Sequence, residues 1–164
     1  MRYIRDMEER ELKIVACRDY LWDLEAKEVS HQIKDGSMEA IREVAKAMSW
    51  RIGCLMTLVP VPSRNGMAEQ TLLLARELER MTGCRVADIL KGRKRESLYE
   101  LKKRNPEFVP GNEFFGFHTD YEGSRFGMVL LDNVYDTGAT ARAAAEATGI
   151  DKVLVYARRY YYGK

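Results

Sequence analysis

A chain of 164 residues is long enough for one domain with a sizeable core. Its 27 basic and 25 acidic side chains leave a net charge of +2, too little by itself to mark a nucleic-acid binder, and no apolar run is long enough to span a bilayer. The start, M-R-Y-I-R-D, lacks a signal-peptide core, so the expected location is cytoplasmic; Cys17, Cys54 and Cys84, odd in number and in no C-x-x-C pair, are expected as buried free thiols rather than a disulfide framework or a zinc site.

The first predicted element is a strand in E-L-K-I-V-A-C, with Leu12, Ile14 and Ala16 on one face, paired with Arg2 to Arg5 through a charged turn. Trp22 to Lys34 reads as a helix with Leu24, Val29 and Ile33 apolar, broken by Asp35-Gly36. His31 on that helix reads as a surface or capping residue. Ser37 is a plausible N-cap for a second helix whose stripe is Ala40, Ile41, Val44, Ala45 and Met48. Cys54 to Pro62 is nearly all apolar and fits a strand buried on both faces of a parallel sheet. The prolines at its end cannot continue a ladder, so the chain turns at Ser63-Arg64-Asn65-Gly66. A helix follows from Met67 to Met81, with Leu73, Leu74, Leu78 and Met81 inward. The helix start and Arg64 make a candidate anion site; a plain strand-to-helix turn is the alternative.

Arg85 to Leu90 reads as a short strand. The run from Lys91 to Arg104 is strongly basic; a solvated face is one reading of it, residues 91–95 are expected to be mobile without ligand, and Ser97 to Lys103 reads as a helix packing through Leu98 and Leu101. Glu113 to Thr119 reads as an aromatic strand. Met128 to Leu131 is a short apolar strand ending in Asp132 and Asn133; a tight loop, Asp136-Thr137-Gly138-Ala139-Thr140, leads into an alanine-rich helix that stops near Gly149. Lys152 to Ala157 is another buried strand. The end, R-R-Y-Y-Y-G-K, could stack on bases, although tyrosines more often pack on a sheet. This order implies an α/β fold, a mostly parallel central sheet flanked by helices, with both loops at strand carboxyl ends where such sheets bind ligands.

The stretch from Met128 to Gly149 carries chemistry of its own. A helix start offers unpaired N–H groups and a positive dipole end, Thr137 and Thr140 add hydroxyls, and Gly138 lets the backbone approach a ligand. A phosphate suits this pocket, while the Asp132 carboxylate suits a ligand carrying hydroxyls or a bound metal beside its phosphate. D-N-V-Y-D-T-G-A-T resembles the phosphoribosyl pyrophosphate (PRPP) loop of type I phosphoribosyltransferases, with Asn133 where the family has a second acid. V-S-H-Q-I-K-D-G, P-V-P-S-R, E-Q-T-L-L-L-A-R-E-L and L-K-G-R-K-R-E-S-L-Y-E-L-K-K-R-N are similar to the ComF (competence protein F) branch, without its four-cysteine zinc ribbon.

The resemblance implies a single phosphoribosyltransferase-like domain over residues 1–164, with a small hood drawn from residues 1–20, 108–125 or the C-terminal tyrosines. It implies transfer of ribose 5-phosphate from PRPP to a nucleobase-like acceptor, with Mg²⁺ and release of pyrophosphate. Asp132 and Asn133 would hold the ribose hydroxyls, Asp132 reaching the metal only through PRPP. Thr137, Gly138, Ala139 and Thr140 would clamp the 5′-phosphate. Ser63, Arg64 and Asn65 would hold the pyrophosphate, with Arg93, Lys94 and Arg95 closing over it. Asp136 would lie beside a purine-like base and accept its proton. The resemblance leaves room for a homodimer, and for two other readings: a non-catalytic PRPP- or nucleotide-binding regulatory module, and a DNA-uptake accessory.

Overall fold

The computed structural model describes residues 11–160. Their centre is an all-parallel sheet of five strands in the order β1-β5-β4-β2-β3. The strands are β1 (Lys13–Asp19), β2 (Thr57–Pro60), β3 (Arg85–Val86), β4 (Met128–Tyr135) and β5 (Lys152–Arg158). The expected pairing of Arg2 to Arg5 lies outside the described residues.

Helices cover both faces, as a parallel sheet requires. α1 (Leu24–Lys34), α2 (Met38–Ser49) and α3 (Gln70–Thr82) pack on one face, burying Val29, Ile33, Ile41, Val44, Met48, Leu74 and Leu78 against Val129, Leu131 and Leu154. On the other face α6 (Ala139–Thr148) packs Ala141 and Ala144 against Leu130, Val153 and Val155. The alternation of β4 thus sends Met128 and Leu130 to one core and Val129 and Leu131 to the other. Among the described residues no helix is long and apolar enough to cross a membrane.

Local chemistry sets the boundaries. Asp23 caps α1 by accepting from the Ala26 N–H at 3.0 Å, so that helix starts after Trp22. Ser37 caps α2 as its sequence implies, accepting from the Ala40 N–H at 3.2 Å. Gly83 and Gly149 close α3 and α6 in the left-handed conformation. In α3 the inward residues are Leu74, Ala75 and Leu78, whereas Leu73 and Met81 are exposed. Of the three thiols Cys84 is buried, Cys17 half-buried and Cys54 exposed.

One element differs in kind from the sequence reading and another in extent. The expected aromatic strand at Glu113 to Thr119 is instead a one-turn helix, α5 (Asn112–Phe115), followed by a single antiparallel bridge from His118 to Lys91. Here Phe115 is buried against Ala139 and Ala143 of α6, and that packing overrides the strand propensity of the phenylalanines. β4 also runs four residues past Leu131, because β5 continues beside it: Asp132 pairs with Val155, Val134 with Ala157 and Tyr135 with Arg158. β2 leaves the ladder at Pro60, opposite Leu131. From that point β4 has a neighbour on one side only, and Asp132 stands where the gap opens.

Candidate functional site at the carboxyl ends of β2 and β4

The chain passes from β2 through α3 to β3 on one side of the sheet, and from β4 through α6 to β5 on the other. The boundary between β2 and β4 is therefore the switch point of the sheet, where strand-end loops diverge and leave a crevice. The loop after β2 carries Ser63, Arg64, Asn65 and Gly66, and the loop after β4 carries Asp136, Thr137 and Gly138. Both loops flank this crevice.

The third wall comes from the basic run. The Gly92 N–H donates to the Gly66 carbonyl at 2.9 Å, the Arg95 N–H to the Arg64 carbonyl at 2.8 Å, and the Arg93 N–H to the Phe115 carbonyl at 3.0 Å. Gly66 has φ +83°, and a Cβ there would lie 2.5 Å from the Gly92 carbonyl oxygen, so only glycine permits this approach. The 91–95 run is thus laced through its backbone to the first loop and to α5. Its side chains divide: Arg93 and Lys94 are exposed, whereas Arg95 is partly buried. The Arg95 guanidinium lies 4.8 Å from the Phe115 ring centroid and 5.3 Å from that of Phe114. Burial lowers its pKa while the nearby Asp132 carboxylate pulls the other way. Arg95 and Asp132 thus sense each other's charge without forming an ion pair. α4 (Leu98–Arg104) follows on the surface, its Arg104 paired with Glu96 at 2.7 Å.

Asp132 carries the most perturbed carboxyl of the site. Burial pushes it up to about 6, against the Asn133 N–H that it accepts at 2.7 Å and the charges of Lys34 and Arg95. Near neutral pH it is ionised, yet it holds its charge at a cost. A ligand donating hydroxyl protons, or bringing a cation, would relieve that cost.

Asn133 points the other way. Its Nδ2 donates to the Ser30 carbonyl of α1 at 3.1 Å, its side chain is buried, and its Oδ1 has no partner among the described residues. Strand alternation is the reason, since neighbours on β4 face opposite sides of the sheet. Asp132 and Asn133 do not form a side-by-side pair, and Asn133 is a link between β4 and α1.

At the second loop Gly138 caps α6 with φ +82°. A Cβ there would strike the Tyr135 ring and come within 2.8 Å of Arg142 Nη1. Arg142 Nη1 also donates to the Thr137 carbonyl at 3.1 Å. The turn is thus braced by Tyr135 and Arg142, and the first-turn N–H groups of α6 lack partners within the helix. The Thr137 hydroxyl is exposed and accepts from the Ala139 N–H at 3.4 Å. Asp136 lies 3.7 Å from Arg159 Nη1. Burial, and after it the Asp136 carboxylate, raises the Tyr20 phenol, which Arg159 pulls back.

The loop after β2 is more self-contained than its residue types suggest. The Ser63 hydroxyl donates to the Met67 carbonyl at 3.2 Å, and the Asn65 amide donates to both Glu69 carboxylate oxygens at 3.1 and 3.2 Å. Glu69 stands at the start of α3 and gives no capping bond. Its negative charge opposes an anion at that helix end. Of the residues expected to hold pyrophosphate, Arg64 and Lys94 keep exposed cationic side chains, as does Arg93.

Sequence reasoning missed Lys34, Tyr20 and Arg159 around the two aspartates and Phe114 and Phe115 beneath Arg95. The aromatic run and the Arg158-Arg159 pair carried that signal without saying what they would touch. His31, read as a surface residue, is exposed on α1. Among the described residues no three His, Cys, Asp or Glu side chains converge to hold a metal ion. No protein-family model matches the chain, and no curated protein matches it.

Proposed function

We propose that this chain is a type I phosphoribosyltransferase-like enzyme of the cytoplasm. It takes PRPP in the crevice between β2 and β4 and transfers ribose 5-phosphate to a nucleobase-like acceptor. The observation that carries this reading is the position of Asp132. It is a half-buried carboxyl at the switch point, between the amide-rich start of α6 on one side and Arg95 on the other. A phosphorylated sugar needs those three features in that order: a donor cradle for its phosphate, an acceptor for its hydroxyls, and cations for a diphosphate at C1.

The chemistry follows from the arrangement. The 5′-phosphate sits on the first turn of α6, with Thr137 and Thr140 adding hydroxyls over Gly138 and Ala139. Asp132 accepts from the ribose hydroxyls. Arg95, with Arg93, Lys94 and Arg64, neutralises the diphosphate as the C1–O bond breaks and the electron pair leaves with it. An acceptor nitrogen forms the new bond at C1, and its proton passes to Asp136, which lies 3.7 Å from Arg159 Nη1. Mg²⁺ would enter with the diphosphate substrate and supply positive charge for its departure, and Asp132 would reach it only through that ligand.

Asn133 supports a second reading, a PRPP- or nucleotide-binding module without catalysis. Its side chain is engaged with Ser30, so one acid instead of two faces the ribose. Pyrophosphate release from PRPP and Mg²⁺, measured over a panel of purine and pyrimidine bases, separates the two. The enzyme reading expects release with at least one base and its loss in Asp136→Ala. Saturable PRPP binding with no release from any base would leave the module.

A further inference from the structure

At the opposite end of the sheet, below the amino ends of β1, β5 and β4, lies an open cleft of about 270 Å³. Val15, Met56, Val129 and Leu154 form its walls. It exists because the helical layer stops short: α2 ends at Ser49, and the chain turns through Trp50 and Arg51, leaving the lower corner of β1 and β5 without a helix above it. Apolar strand residues on such a face are normally covered. Val15 instead keeps 42% of its surface exposed.

Three cations, Lys13, Arg51 and Lys152, stand around these walls. Lys13 is 3.8 Å from Asp151. Arg51 and Lys152 have no ion-pair partner among the described residues. Their stems add apolar surface to the cleft while their charged ends stay in water. Apolar walls with two cations that have no ion-pair partner among the described residues are complementary to one kind of small molecule, an alkyl chain with an anionic end.

We infer that this cleft is a second binding site, for a single-chain amphiphile with a carboxylate head: the chain lies on Val15, Val129 and Leu154, and the head meets Arg51 and Lys152. The inference does not rest on the phosphoribosyl reading, because the cleft opens at the other end of the strands and shares no residue with the crevice.

Calorimetric titration of the full chain with octanoate, and separately with octanol, tests it. Octanoate should bind more tightly than octanol. Changing Arg51→Gln and Lys152→Gln together should weaken octanoate by about tenfold, the size expected from losing two partly exposed ion pairs, and leave octanol unchanged. Val15→Trp fills the cleft and should abolish both. Should that variant fold poorly by circular dichroism, Val15→Glu places a repelling charge at the wall instead and should weaken octanoate selectively. Equal affinity for acid and alcohol would overturn the inference, as would unchanged octanoate binding in both Val15 variants. Capture by anionic phospholipid vesicles with no binding of free octanoate would also overturn it, and would make this end a membrane-facing surface.

Discussion

Asp132 and Asn133 are neighbours in sequence with opposite physical situations. The Asp132 carboxyl is raised to about 6 by burial, so in the folded protein it holds a proton that the unfolded chain has already released near its ordinary value. Between roughly pH 4 and 6 the folded state therefore binds more protons, and by linkage this residue makes stability fall as pH rises through that window. Asp132→Asn removes the charged form. It should melt higher than wild type at pH 7.5 by a few degrees, show no such gain at pH 4, and lose affinity for ribose hydroxyls. Differential scanning calorimetry at the two pH values checks the sign; equal shifts at both would mean the carboxyl is not strained. Asn133 predicts the reverse kind of result. Asn133→Asp would bury a second carboxylate against the Ser30 carbonyl, so it should destabilise by about 1–3 kcal/mol at neutral pH rather than restore a family-like acid pair. A denaturant midpoint equal to wild type would show that the side chain can turn away from α1.

The basic run behaves as an element, not as a string of charges. Its hydrogen bonds to Arg64, Gly66 and Phe115 and the seat of Arg95 on two phenylalanine rings make it one wall of the crevice. Arg95→Ala should cost about 1–2 kcal/mol through lost cation–π and packing contacts, while Lys94→Ala should leave the melting temperature unchanged and affect only diphosphate affinity. Gly66→Ala should separate the two loops, seen as faster amide exchange at Gly92 and Arg95. If exchange there stays slow, the loops are held by something other than this contact. Sequence alone could not reveal this lacing. Counting charges from Lys91 onward shows a surface segment, but the anchoring groups are backbone amides and carbonyls, which every sequence possesses, and the phenylalanines read as a strand until α6 supplies a face for Phe115 to pack on.

At the scale of the whole molecule, the parallel sheet and its helices were legible because the governing signals are local: apolar runs over β2, β4 and β5, Ser37 as a cap, and Gly83 and Gly149 as stops. The position of the β4–α6 loop was legible for the same reason. The partners of its side chains were not. That Asn133 turns to α1 depends on how far β5 accompanies β4, and that Asn65 serves Glu69 depends on how α3 begins. The central claim is that the two strand-end loops at the switch point bind one phosphorylated ribose. Amide hydrogen exchange of the full chain with PRPP and Mg²⁺ tests it most directly. Residues 137–141 should slow together with 64–66 and 92–95, and the effect should shrink in Asp132→Asn. Unchanged exchange at the β4–α6 turn, with PRPP present well above any plausible dissociation constant, would contradict it.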